Sequence, residues 1–372
     1  MELVKVGTRK LGRGEDIFFI AEIGINHNGD LNLAKKMVDA AAAAGCDAAK
    51  FQTFSAKALY IPSEKSGTYK LMGKDIPIYD LHVKLEMPEE WVAELNDYCK
   101  QQDILFFSTP VDQSSVDLLE RNGVPVFKVS SYDMTNIPLI KYLSTKRKPV
   151  IFSCGGAKMS EVAETADTLK EANAPFAIMH CIAKYPAPYE YANLAVMDTL
   201  RKAFGVPVGF SDNGFADPSG KIDTGRVPLA AARLGADLFE IHTTLDRKLP
   251  GPDHGFATEP DELREMVKSM RKIRADYNAG KRFDDDPVLL GTSRREPYDI
   301  ERYVRNFAYK CLFSTRKVAE GERLTKENVA VLRPGAFPQR GLDPKYYELV
   351  ITKAKARKAL DAWQPITWDS IL

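Results

Sequence analysis

Eight short apolar runs, separated by stretches of helical periodicity, dominate the chain between residues 17 and 242. They are 17–22 (IFFIAE), 48–53 (AAKFQT), 104–108 (ILFFS), 125–130 (PVFKVS), 149–153 (PVIFS), 177–181 (AIMHC), 206–211 (VPVGFS) and 237–242 (DLFEIH). Strands alternating with helices predict a parallel sheet, and eight such units are the number that closes a TIM barrel. An open doubly wound sheet is the structural alternative. No G-x-G-x-x-G follows any of the runs, which counts against a dinucleotide fold.

The helices between the runs carry end signals. Asp30 is placed to cap a helix that Gly45 ends. Pro88 falls at a first helical turn. Asp112 precedes a helix that Gly123 stops, and Gly235 follows PLAAARL in the same way. The expected barrel spans residues 1–282. Residues 283–305 are charged, lack periodicity and read as a linker. Residues 306–372 change character to short β-like runs, turns at AEGE and RPG, and one short helix at TKEN. A β-rich unit of about 65 residues lies near the lower limit for a core of its own.

Composition narrows the function. Lys and Arg number 52 against 51 Asp and Glu, a net charge of +1. That balance argues against a dedicated nucleic-acid or polybasic membrane binder. The five cysteines, Cys46, Cys99, Cys154, Cys181 and Cys311, form no CxxC pair. With a polar start and no apolar run near the ~20 residues of a membrane helix, they predict a soluble protein of the reducing cytoplasm.

The chemistry is expected where the runs stop, because the C-terminal ends of barrel strands face the active site. Glu22 ends the first run. Lys50 and Gln52 alternate on the second, so both point to one side. The remaining ends hold Ser108, Lys128 with Ser131 and Asp133, Ser153, Tyr185, Ser211 with Asp212, and His242. Two lysines among hydroxyls make an anion cradle. A carboxylate and a histidine beside them can move protons or hold a divalent metal. Each has a bland reading alone: a lone Ser is turn chemistry, Lys50 a rim salt bridge, His242 a packed core histidine. His180 is expected to bond locally, and His27 to orient the loop after Glu22. Their joint occurrence on successive strands favours function. After the eighth run, LPGPDH is a rigid turn that presents Asp253 near His242.

AEIGINHNGD, KFQTF, FSTPVD, FKVSSYD, HCIAKYPAPYE, GFSDN, HTTLDRKLPGPDH and EGERLTKENVAVLRPG together resemble the sialic acid synthases, more broadly the nonulosonic acid synthases. The last motif resembles their antifreeze-like (SAF) domain. The resemblance covers roughly residues 17–370. It implies condensation of phosphoenolpyruvate with the open-chain aldehyde of an N-acylated mannosamine-type sugar. The product would be a nine-carbon 2-keto-3-deoxy acid, released with phosphate.

Carried over residue by residue, the resemblance implies that Lys50, Lys128, Ser131, Ser153 and Ser211 hold phosphoenolpyruvate. Glu22 stands between the reactants. Gln52, Asp133, Tyr185 and Asp253 contact the sugar, while Phe307 and Arg333 reach in from the C-terminal domain of a partner in a domain-swapped homodimer. A divalent metal, Mn²⁺ or Mg²⁺, is implied at His242. Where the family has SDHT, with a second metal-binding His, this chain has SDNG and places Asn213 there. Ala183 replaces a polar residue two before the Tyr of the YP motif, and the loop 213–226 is longer than usual. Two other readings use the same residues. One is a Schiff-base lyase working through Lys50 or Lys128. The other is a non-catalytic sugar-binding homologue whose metal site is dismantled at Asn213.

Overall fold

The computed structural model describes residues 3–62, 64–71, 73–284 and 286–372. Its centre is a closed barrel of eight parallel strands. They are β1 (Phe18–Gly24), β2 (Ala48–Thr53), β3 (Leu105–Pro110), β4 (Phe127–Val129), β5 (Val150–Ser153), β6 (Phe176–Cys181), β7 (Val208–Asp212) and β8 (Leu238–His242). They follow chain order around the barrel, and β8 pairs back onto β1. The closed TIM barrel is therefore borne out over the open sheet. The strands are buried on both faces because one face lines the lumen and the other lies under a helix. All seven residues of β1 are buried.

The capping signals act as expected. Asp30 accepts the N–H groups of Asn32 and Leu33 at 2.8 and 3.3 Å, opening the helix Leu31–Ala43. That helix buries Ala34, Met37, Val38 and Ala41, a stripe at i, i+3, i+4 and i+7. Gly45 then turns the chain with φ +84°. Asp112 accepts the N–H of Ser115 and opens Gln113–Arg121. At the opposite end of the barrel Arg274 is fully buried. It pairs with Asp237 at 2.9 Å and donates to the carbonyls of Gly12 and Glu15.

Of residues 283–305, expected as a linker, the stretch 286–305 is laid against the barrel. It includes the helical turn Pro287–Leu290 and a wholly buried ion pair, Arg295 with Glu301 at 2.8 Å. Glu301 also accepts the N–H groups of Gly156 and Ala183, pinning the loops after β5 and β6. A run of charges reads the same in sequence whether it is solvated or paired inside.

The C-terminal unit pairs β9 (Cys311–Ser314) antiparallel with β10 (Val329–Leu332) over a core that includes Leu312, Val318, Leu324, Val350 and Ile366. TKEN, expected as a helix, is a turn: Asn328 Oδ1 accepts the Thr325 N–H at 2.7 Å. A short amide side chain competes with helical backbone pairing in this way. The unit's α-helix is Tyr347–Lys353 instead. The unit docks on the mouth of its own chain's barrel. Arg333 N–H donates to Leu59 O, Ala336 N–H to Ser66 O, and Lys310 Nζ to Val111 O.

Candidate active site

Glu22 and Lys50 are register partners on β1 and β2. Lys50 Nζ lies 2.6 Å from Glu22 Oε2, and Gln52 Nε2 donates to Glu22 Oε1 at 3.2 Å. Lys50 also donates to Thr109 Oγ1 on β3 at 3.0 Å. Gly24 breaks the register beside them with φ +56°. A β-carbon there would stand 2.9 Å from Glu22 Oε1 and 3.1 Å from Gln52 Nε2, so only glycine leaves room for the pair.

Lys128 reaches in from β4. Its ammonium donates to Ser153 Oγ at 2.7 Å and to Val129 O at 3.2 Å. Between the two lysines stands Glu240 of β8, a residue the sequence reading missed. Its Oε2 is 3.6 Å from Lys50 and its Oε1 is 3.5 Å from Lys128. Ser211 Oγ donates to Glu240 Oε1 at 2.9 Å. The signal was present in DLFEIH. Glu240 alternates with His242 inside an apolar strand, the pattern that picked out Lys50 and Gln52.

The four charged groups are almost wholly buried, with side-chain exposures of 2–7%. Burial pushes the Glu22 carboxyl up to about 7, against the pull of Lys50. Burial pushes Glu240 up as well, but Lys128 and Lys50 outweigh it and hold it down at about 2. Lys128 is lowered, chiefly by burial. For Lys50, burial opposes the charge, yet Glu22 and Glu240 prevail and its pKa is raised. At neutral pH Glu240 is thus a firm carboxylate, and the Glu22 carboxyl stands near its midpoint beside Lys50.

The other expected residues divide into those at this cluster and those around it. Ser131 Oγ accepts the Gly155 N–H at 2.9 Å, beside the Lys128–Ser153 pair in the next loop. His242, the last residue of β8, is ringed by Tyr185 and Phe256 at centroid distances of 6.2 and 5.2 Å. Its Nδ1 is buried without a hydrogen-bond partner. Burial lowers its pKa, while the Asp253 charge opposes that shift, so the LPGPDH turn brings Asp253 into its range. Tyr185 OH lies 2.5 Å from Tyr132 OH.

Asp133 is fully buried, accepts from Ser130 Oγ at 2.8 Å, and faces Lys310 at 3.3 Å and Arg333 at 3.7 Å. Phe307 packs on Tyr60 and Tyr303 at the rim. The resemblance assigns Arg333 and Phe307 to a partner's site; here both stand at the mouth of their own barrel. His27 orders its loop by accepting the Gly29 N–H, and His180 bonds the carbonyl of Ala192, both as expected. A groove of about 790 Å³ on the outer wall, lined by Leu194, Met197, Arg201 and Tyr277 among others, holds none of these groups.

For the expected divalent cation, the two residues that the resemblance implies each keep one candidate donor atom. One is the unpartnered ring nitrogen of His242. The other is Asn213 in the loop after β7. Its amide nitrogen donates to Cys181 Sγ at 3.1 Å and Ile182 O at 2.8 Å, which leaves the oxygen as its ligating atom. Among the described residues no three His, Cys, Asp or Glu side chains gather as a metal set. The donors present therefore fit a cation that draws most of its shell from water or substrate, as Mg²⁺ commonly does.

Comparison with known proteins gives the family and supports the fold. The NeuB family matches residues 37–282 and the SAF domain residues 309–372. The spore coat polysaccharide biosynthesis protein SpsE of Bacillus subtilis is 44% identical, covering 100% of this chain and 98% of that protein. The N,N'-diacetyllegionaminic acid synthase of Legionella pneumophila is 32% identical over 98% of this chain and 97% of its own. The human N-acetylneuraminate-9-phosphate synthase is 31% identical over 91% and 89%. The crystal structure of B. subtilis SpsE superposes with a TM-score of 0.87, at 41% identity, over 100% of this chain and 99% of that one. With a barrel, a C-terminal SAF domain and these relatives, the chain belongs to the NeuB family, the family of the sialic acid and other nonulosonic acid synthases.

Proposed function

We propose that the protein condenses phosphoenolpyruvate with the aldehyde of an N-acylated mannosamine-type sugar. The products are a nine-carbon 2-keto-3-deoxy acid and phosphate. The observation that carries this reading is the buried cluster of Lys50, Lys128, Glu22 and Glu240, edged by Ser131, Ser153 and Ser211. Two ammonium groups and three hydroxyls in a dry mouth suit a small, multiply charged anion. At 4 Å a unit charge pair is worth about 4 kcal/mol at an effective dielectric near 20.

Bond formation joins C3 of the enolpyruvate to the aldehyde carbon. Water adds at C2, and the C2–O bond breaks as phosphate leaves. Lys50 and Lys128 bind the phosphate and carboxylate, and Glu240 keeps both lysines charged before the anion arrives. Glu22, with its pKa near 7, can take a proton from the attacking water and later return one. Gln52, Tyr185, Asp253 and Arg333 face the sugar. His242 and Asn213 are the residues that would hold a divalent cation, which supplies Lewis-acid polarisation of a carbonyl.

The free, buried cysteines fit a reducing cytoplasm. In an exchanged homodimer the same Arg333, Phe307 and Lys310 contacts would form between two chains.

The burial-lowered Lys128 gives the Schiff-base reading its one support. Its bond to Ser153 and its proximity to Glu240 favour the ammonium form instead. Phosphate release that requires both phosphoenolpyruvate and an N-acylated hexosamine is the test. Pyruvate trapped on the protein by borohydride would point to the lyase. A calorimetric titration showing no binding of Mn²⁺ or phosphoenolpyruvate would point to a non-catalytic homologue.

A further inference from the structure

Tyr132 is the next residue after Ser131 in the loop leaving β4, and none of the steps above uses it. Its hydroxyl lies 2.5 Å from the hydroxyl of Tyr185. Its ring faces the guanidinium of Arg333, with the carbon 5.4 Å from the centroid, and Tyr309 meets it edge-on at 6.0 Å. The Arg333 guanidinium also lies over Tyr60 at 5.6 Å, and its Nε is buried without a hydrogen-bond partner. Tyr132 therefore touches two residues, Tyr185 and Arg333, that approach the same side of the mouth from different domains.

Two hydroxyls at hydrogen-bond distance share one proton between them. The accepting phenol must then aim its own proton elsewhere, and both rings are only half-buried. The pair thus leaves one phenolic proton to donate to a third group. The flat ring of Tyr132 meanwhile sets the depth at which the Arg333 guanidinium rests, since a cation over an aromatic face is held near the ring centroid. Ser131, one residue back, accepts from the Gly155 N–H instead.

We propose that Tyr132 is a positioning residue for the second substrate, the N-acylated sugar, acting through Tyr185 and Arg333. This assignment rests on the synthase reading of the site. It separates the roles of one loop: Ser131 serves the phosphoenolpyruvate end and Tyr132 the sugar end.

Steady-state kinetics of Tyr132→Phe and Tyr132→Ala, with each substrate varied in turn, tests it. Tyr132→Phe keeps the ring under Arg333 and loses only the hydroxyl pair. The expected result is a roughly 10-fold rise in KM for the sugar, with kcat and the KM for phosphoenolpyruvate within about 2-fold of wild type. Tyr132→Ala should raise the sugar KM by roughly a further 10-fold as Arg333 loses its rest. Equal changes in both KM values, or none in either variant, would overturn the assignment while leaving the synthase reading intact. If wild-type protein neither releases phosphate with any N-acylated hexosamine nor binds one by calorimetry, the synthase reading fails and the assignment falls with it.

Discussion

Lys128 and Glu240 face each other 3.5 Å apart from β4 and β8, strands on opposite sides of the barrel. The contact crosses the lumen, and it turns two strand-end groups into one electrostatic unit with Lys50 and Glu22. Removing one member of a buried pair leaves the other uncompensated. Glu240→Gln should keep the hydrogen bond from Ser211 and still cost about 3 kcal/mol of stability at pH 7, read by urea denaturation. Because the folded pKa of Glu240 is depressed, that stabilisation is present above the usual carboxylate range and is lost as pH falls toward 2. An unchanged denaturation midpoint at pH 7 would mean that Glu240 is not the counter-ion of the lysines.

Glu22 has the opposite sign. Its folded pKa is raised from the usual 4.5 to about 7, so the folded chain holds a proton that the unfolded chain gives up earlier. Its contribution to stability is complete below 4.5 and disappears as pH rises through 7. Denaturation midpoints across that window should decline more steeply for wild type than for Glu22→Gln. The same variant should lose at least ~100-fold in turnover, the range expected for a missing acid–base group. Near-wild-type turnover would remove Glu22 from the chemistry.

Asn213 offers a neutral oxygen where a histidine would offer a stronger nitrogen donor. Asn213→His should bind Mn²⁺ about 10-fold more tightly than wild type, measured by electron spin resonance titration. Identical affinities would place Asn213 outside the metal shell.

The Arg295–Glu301 pair fastens the segment between the domains to the loops after β5 and β6. Glu301→Gln removes one of two wholly buried charges and should lower stability by about 3 kcal/mol. Limited proteolysis should then cut within residues 283–305 of the variant before it cuts wild type. Equal cleavage rates would show that the segment is held by other contacts.

The barrel was legible because eight mostly apolar runs alternate with helices, and stripes such as that of Leu31–Ala43 keep the helical period. Asp30 and Asp112 show the same for helix starts, since a cap acts within three residues of itself. Three features were missed or read otherwise. Glu240 carried a signal in its alternation with His242, but only closure of the barrel brings it to Lys128 on the far side. Arg295 and Glu301 looked like solvated charges, since local sequence does not show which charges a fold will bury together. TKEN had helical composition, but Asn328 turns it by bonding back to Thr325. Glu22, Lys50, Ser153, Ser211 and His242 stood out because each is a polar group at or near the end of a run that packing alone would keep apolar.

In the proposed reaction one mouth joins a phosphoenolpyruvate to an amino-sugar aldehyde. Mass spectrometry of the product, after incubation with phosphoenolpyruvate, Mn²⁺ and a panel of N-acylated hexosamines, tests it most directly. The expected product, for at least one sugar, is a new acid whose mass equals sugar plus phosphoenolpyruvate plus water, less phosphoric acid. Unchanged sugars throughout, or a product lacking the three added carbons, would contradict it.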